Sequence, residues 1–289
     1  MKLGTIGAGI RTDQLDAKQA AAVARRLEKQ GYSAAWLTDS MGRDPLVHAA
    51  WLLAATEELW VAIGVVNIYL RSPVALVGAQ NALVEQSQGR FLLGLGVSHA
   101  EMVEGLLGRS YAGPVSTMSS YLDAMQSAPY MGPPLEERAP IVLGALGPRM
   151  LQLAAQRTTG ACPVRVTVEY TTRARELIGP DPWLCVKLYV LLENSASRAR
   201  AAARQKTSLE YENYRRHMRR MGFGEADFEA GGSDRLVDAI FAWGDETRIR
   251  DRIEAYRSAG ADHIVIEPID PEDPGRTDFR ALEALSPGA

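Results

Sequence analysis

The chain has 289 residues, 46% hydrophobic and 23% charged, with a net charge of −3, which suits a soluble protein of one barrel, one doubly wound sheet or two small domains. That charge gives no general reason to bind nucleic acid or an anionic membrane, no stretch approaches the roughly eighteen apolar residues of a membrane helix, and no signal peptide precedes the first strand-like run. Cys162 and Cys185 show neither metal-ligand nor redox spacing, so a reducing cytoplasm is the expected compartment.

The first unit runs from Lys2 to Asp39: a strand over Leu3 to Ile10, a helix over Ala17 to Gln30 closed by Gly31, and a short buried strand from Ser33 to Thr38. Asp44-Pro45 opens a helix through Thr56, with the proline suited to its first turn. Leu59 to Val66 is a β-branched-rich strand, Ser72-Pro73 starts a helix through Gln88, and Arg90 to Val97 is a strand. Ser98 to Pro114 is polar and too long for a minimal connection, as a segment covering a site would be. A helix over Pro114 to Gln126 and a Pro-rich loop over Pro129 to Pro140 lead to a strand from Ile141 to Ala145. Next come a helix from Pro148, a short strand at Ala161-Cys162, a helix from Thr167 to Ile178 and a strand from Leu184 to Leu192. Ala196 to Ala242 reads as entirely helical, with a break at Gly231-Gly232-Ser233. A helix from Glu246 to Ser258 and a strand from Asp262 to Glu267 close the pattern, and the turn-rich tail ends in one more helix.

Eight strands separated by helices predict an α/β fold, a (β/α)8 TIM barrel with extra helices inserted after strand 7. The expected organisation is one domain over residues 1–289, with the helical insertion at about 196–242. Such a barrel does its chemistry at the C-terminal strand ends, here Thr38 to Arg43, Gly64 to Arg71, Gly96 to Glu101 and Gly144 to Arg149.

Two motifs suggest other chemistry. Ile6-Gly7-Ala8-Gly9 resembles the start of a dinucleotide fingerprint, but Thr12 stands where the third glycine belongs and the helix begins only near Asp16. A flexible strand end accounts for it. Gly96-Val97-Ser98-His99-Ala100 approaches a nucleophile elbow, and His263 stands late enough to complete a triad. No Gly-rich oxyanion loop accompanies it, and His263 begins a strand instead of following one.

Four collinear segments carry a stronger resemblance. They are Gly64-Val-Val-Asn-Ile-Tyr-Leu-Arg-Ser-Pro73, Gly89-Arg-Phe-Leu-Leu-Gly-Leu-Gly-Val-Ser98, Gly147-Pro148-Arg149 after Ile141 to Gly144, and Trp243-Gly244-Asp245 through Ala259-Gly-Ala-Asp-His263. Together they resemble the luciferase-like oxidoreductases that depend on coenzyme F420, over about Leu3 to Glu267. The resemblance implies hydride transfer between the deazaflavin and a small organic substrate. It also implies a cis peptide bond at Gly64–Val65, a ring backed by Gly64, Val65 and Asn67 and touched by Gly96, Val97 and Ser98, and a phosphate held by Gly144, Ala145, Leu146, Gly147 and Arg149. Gly94 and Gly96, in an apolar strand, fit close approach by a flat ring or tight packing inside the barrel. Asp39 would hydrogen-bond the ring or simply serve as a turn residue.

His99 falls where some relatives carry a catalytic glutamate, and its imidazole suits the proton that accompanies hydride movement. Glu101 and Glu104 stand near enough to serve instead. Ser40 departs from the histidine of sugar-phosphate and methylene-carrier relatives, so their substrate chemistry does not transfer. His48 reads as structural. His217, among Arg215, Arg216, Arg219 and Arg220, reads as part of a solvated or interface face, or of a contact with an anionic cofactor tail.

The alternatives are an FMN-dependent monooxygenase of the same family with a separate reductase, a flavin-binding protein without catalysis, and a serine hydrolase. The resemblance also implies a homodimer.

Overall fold

The computed structural model describes residues 3–40 and 42–288. The main elements, in order, are β1 (Ile6–Gly9), α1 (Ala17–Lys29), β2 (Ala34–Leu37), α2 (Pro45–Ala54), β3 (Trp60–Asn67), α3 (Pro73–Gln86) and β4 (Phe91–Gly96). There follow α4 (Ala100–Gly105), α5 (Pro114–Gln126), β5 (Ile141–Leu143), α6 (Pro148–Arg157), β6 (Gly160–Ala161), α7 (Val168–Ile178) and β7 (Trp183–Leu192). The rest is α8 (Ala196–Arg204), α9 (Glu212–Arg220), a 3-10 segment (Glu225–Gly231), α10 (Asp234–Ile240), β8 (Phe241–Gly244), α11 (Glu246–Ser258), β9 (His263–Pro268) and α12 (Phe279–Ala284).

Strands β1 to β7 pair in parallel in sequence order, and β9 joins β7 to β1, closing an eight-stranded barrel. The expected (β/α)8 barrel, with extra helices after the seventh strand, is the fold observed. Helix starts follow local chemistry: Asp16, Asp44 and Ser72 each accept a hydrogen bond from a first-turn N–H, and Pro45 and Pro73 occupy positions where no N–H is missed.

Two segments depart from expectation. The polar stretch after β4 contains a short helix, α4, and the segment from Ala196 is not entirely helical because it ends in β8. The reason lies in β7. It has ten residues whereas β6 has two, so the upper half of β7 needs another partner for its main-chain groups. Strand β8 supplies it, with Tyr189 opposite Phe241 and Leu192 opposite Gly244. Helices α8 to α10 pack there around their own apolar cluster, which includes Leu191, Met218, Phe228, Leu236 and Phe241.

Inside the barrel, side chains of alternate parity point inward. Trp36, Trp60, Leu92, Val142, Cys162, Cys185 and Val265 form the lower interior. The two glycines of β1 belong to this packing. A Cβ on Gly7 would lie 2.6 Å from His263 Nε2 and 2.9 Å from the Trp36 ring, and one on Gly9 would meet Glu267 Oε2 at 2.2 Å. The Gly-x-Gly that resembled a nucleotide motif makes room for three inward side chains, a more specific role than a flexible strand end.

Candidate active site

A cavity of about 730 Å³ opens at the C-terminal mouth of the barrel. Its lining takes in Asp39 after β2, Gly64, Val65 and Asn67 on β3, Gly96, Val97, Ser98 and His99 after β4, and Gly144, Ala145, Leu146, Gly147 and Arg149 between β5 and α6. Asp39, His99 and the residues named for the ring and for the phosphate therefore face one space. Met41, inside one of the strand tips, lies outside the described residues, as does Lys2.

The Gly64–Val65 bond is cis, and the β3–β4 register shifts between Ile63 and Val66. This bulge explains the glycines of β4. A Cβ on Gly94 would sit 2.2 Å from the Ile63 carbonyl oxygen, and one on Gly96 would sit 2.4 Å from Val65 Cγ2. The object that comes close to these glycines is the protein's own third strand. Gly144 flanks the same valine, with 3.5 Å between its notional Cβ and both Val65 methyls. Val65 therefore stands as an apolar ridge between the tips of β4 and β5.

The Asp39 carboxylate is committed within the protein. Its side chain is 4% exposed and accepts from Arg71 Nη1 at 2.6 Å, from Arg71 Nη2 at 3.3 Å and from the Asn67 N–H at 3.0 Å. It anchors the tip of β3.

Ser98 adopts a left-handed conformation (φ 58°) that turns the chain off β4 and presents His99. His99 stacks on Tyr211, with ring centroids 4.2 Å apart, and its Nδ1–H donates to Asn213 Oδ1 at 2.8 Å. That bond fixes the tautomer and leaves Nε2 as the basic nitrogen. Burial, reinforced by the Arg165 charge, holds His99 below its ordinary pKa against the opposing pull of the Asn213 bond. Glu101 and Glu104 are exposed, receive the N–H groups of Glu212 and Tyr111, and do not line the cavity. Of the three candidates for the proton, His99 alone reaches the space.

Several site residues escape sequence reasoning. Lys187 on β7 and Glu267 on β9 form an ion pair of 3.1 Å on the cavity floor, with side chains 7% and 6% exposed. Burial works against the Lys187 ammonium, but Glu267 together with Tyr189 and Cys162 outweighs it, and Lys187 titrates above its ordinary value. Both residues share the inward parity of their strands, Lys187 two after Cys185 and Glu267 two after Val265, a placement that becomes readable only once the inward face of each strand is known. Arg165, Tyr189, Tyr211, Asn213, Tyr214, Arg216 and Arg220 also line the cavity.

Helix α9 thus roofs the mouth, which corrects the reading of His217. Its ring is fully buried and meets Tyr170 edge-on at 4.9 Å, because α9 is pinned between the barrel and the apolar cluster. The hydrolase triad is also excluded. His263 sits at the N-terminal end of β9, accepting from Trp36 Nε1–H at 2.9 Å, whereas Ser98 lies at the opposite, C-terminal mouth.

The family model for luciferase-like monooxygenases matches residues 1–263. The chain belongs to the luciferase-like monooxygenase family, an oxidoreductase family. A Mycobacterium tuberculosis protein provisionally assigned as a coenzyme F420-dependent oxidoreductase is 25% identical over 83% of this chain and 87% of its own length. An F420-dependent secondary alcohol dehydrogenase, solved with an F420–acetone adduct, superposes with a TM-score of 0.75 at 14% identity, covering 99% of this chain and 97% of that one. The oxygenating constituent of a Pseudomonas putida diketocamphane monooxygenase, solved with FMN, superposes with a TM-score of 0.68 at 16% identity, covering 100% and 97%. At these identities the two structures speak to the shared barrel alone. Among the described residues of this family member, no helix is long and apolar enough to cross a membrane and no cluster of ligating side chains suits a metal.

Proposed function

We propose that this protein is a coenzyme F420-dependent oxidoreductase that transfers a hydride between the deazaflavin and a small organic substrate. One observation carries the reading: the bulged tip of β3, the glycine tips of β4 and β5, the start of α6 and the His99 imidazole all face a single cavity of about 730 Å³. A flat ring fits against the Val65 ridge. The free N–H groups at the start of α6, beside the Arg149 and Arg220 guanidiniums, suit a phosphate. The family and the F420 assignment of the mycobacterial relative support this cofactor.

When bound, the deazaflavin supplies two-electron hydride chemistry; the protein supplies placement and proton control. Val65 backs the ring, and Asp39 holds that ridge through Asn67 and Arg71. His99 Nε2, kept neutral by burial and left free because Nδ1–H donates to Asn213, takes the proton released when an alcohol is oxidised and returns it in the reverse direction. The apolar side chains of Met102, Leu106 and Leu107 line the outer part of the same cavity and limit water there.

A reduced flavin presents a similar tricyclic ring to the same seat, and the FMN-bound monooxygenase shares the barrel. Titrating the protein with F420 and with FMN while following tryptophan fluorescence separates the two readings. Trp36, packed directly beneath Gly64, is a natural reporter. Tight FMN binding with no response to F420 would replace this proposal with a flavin monooxygenase.

A further inference from the structure

We propose that the inner end of the cavity, built on Arg165, is a seat for an anionic group of the substrate, a carboxylate or a phosphate. The inference deepens the proposed function and rests on reading this cavity as the active site.

Arg165 follows β6 and is 7% exposed, yet no carboxylate among the described residues lies within ion-pair distance of it. Its guanidinium is clamped between two tyrosine rings, 4.6 Å from the Tyr214 centroid and 5.1 Å from that of Tyr189. Nε donates to the Lys206 carbonyl at 2.9 Å and Nη2 to Ser208 Oγ at 2.9 Å and to Tyr189 Oη at 3.4 Å, while Nη1 has no hydrogen-bond partner among the described residues. A planar fork held this rigidly, with Nη1 free, is arranged for an oxyanion.

The charges around it point the same way. Lys187 and Arg11 face this floor as well, and Glu267 is the carboxylate set among them, at 3.1 Å from Lys187 and 3.9 Å from Arg11. Glu210, the other carboxylate whose charge reaches Arg165, is exposed. Glu267 pairs with Lys187, and no carboxylate among the described residues is in contact with Arg165. An anion that reached it would be the first to touch it and would gain more in this buried place than at the surface.

Position assigns the anion to the substrate. The Tyr214 ring is close to both groups, 4.6 Å from the Arg165 guanidinium and 5.2 Å from the His99 imidazole, and all three line the cavity. A small molecule whose anionic group meets Arg165 therefore lies near His99. Arg220, another cation of this cavity, lies at the start of α6, 3.3 Å from a notional Cβ on Gly147.

The test is binding of inorganic phosphate and of acetate, followed by tyrosine and tryptophan fluorescence at constant ionic strength, with sodium chloride as reference. Both anions should bind beyond the chloride effect. Arg165→Lys keeps charge and stem but loses the fork, and should weaken binding by about tenfold or more. Arg165→Gln should abolish it if that variant folds; if it does not, the lysine variant carries the test. Wild-type anion affinity in folded Arg165→Lys overturns the proposal. Repeating the titration with F420 bound identifies the source: undiminished phosphate binding supports a substrate anion, and displacement by F420 overturns that assignment in favour of the cofactor's own phosphate. Absence of F420 and FMN binding, with phosphate still held through Arg165, would overturn the cofactor reading and leave the anion seat standing.

Discussion

The Nδ1–H of His99 donates to Asn213 Oδ1 across 2.8 Å, tying the end of the fourth strand to a helix inserted after the seventh. The barrel contributes the imidazole, and the insertion decides which of its nitrogens is free.

Replacing His99 by alanine should lower turnover by roughly 10²–10⁴-fold while leaving cofactor affinity almost unchanged. Burial places the His99 pKa below its ordinary value, so the neutral base persists to lower pH than in an ordinary histidine. The acid limb of kcat/KM for substrate oxidation should therefore lie below the ordinary histidine pKa. Asn213→Asp puts a carboxylate on Nδ1–H, stabilises the protonated ring and should move the limb upward; Asn213→Ala should cost turnover without that displacement. A limb unmoved in Asn213→Asp would show that His99 is not the titrating group.

Lys187 and Glu267 should be strongly coupled. Glu267→Gln leaves a buried ammonium facing a neutral amide, and the expected loss is about 3 kcal/mol, the scale for breaking a buried pair from one side. Replacing both, as Lys187→Met with Glu267→Gln, should cost less than Glu267→Gln alone. Urea unfolding of the two single variants and the double variant checks this, and simple additivity would contradict it.

How much of this was readable beforehand follows from the kind of pattern each residue sits in. The barrel was legible because helical periodicity and short apolar runs alternate along the chain, and the tip glycines stand out against apolar strands. Lys187 and Glu267 were hidden because strands of a parallel barrel are apolar on both faces, so Cys185, Val186, Lys187 and Leu188 show no alternation that marks the inside. Four-residue β8 has no pattern of its own and exists because β7 outruns β6. His217 sat among arginines and looked solvated, yet only one face of α9 meets water. Its buried face is a tertiary fact that composition does not carry.

Gly96 tests the Val65 ridge proposed to seat the ring. Gly96→Ala would push a methyl to within 2.4 Å of Val65 Cγ2, displacing the ridge. Cofactor affinity should fall, by about tenfold for roughly 1.4 kcal/mol of misfit. Val65→Ala removes the clashing methyl and, combined with Gly96→Ala, should restore part of the loss. Fluorescence titration of the four proteins reads the cycle; equal losses in the single Gly96→Ala and double variants would separate Gly96 from the ridge.

Acid should destabilise the fold through two buried imidazoles. Burial pushes His217 down to about 4, helped by the Arg220 charge, and pushes His263 down to about 4 despite the hydrogen bond to the Gly4 main chain. Above the ordinary value of 6.5 both are neutral in the folded and unfolded chains and contribute no pH dependence. Between about 6.5 and 4 the unfolded chain binds their protons and the folded chain does not, so stability falls as pH falls. The full cost is on the order of 3 kcal/mol for each group. His217→Gln and His263→Gln should each reduce the slope of unfolding free energy against pH in that window, by at most about 1.4 kcal/mol per pH unit. Urea unfolding at a series of pH values measures it. An unchanged slope in both variants would mean that carboxylates elsewhere carry the acid sensitivity.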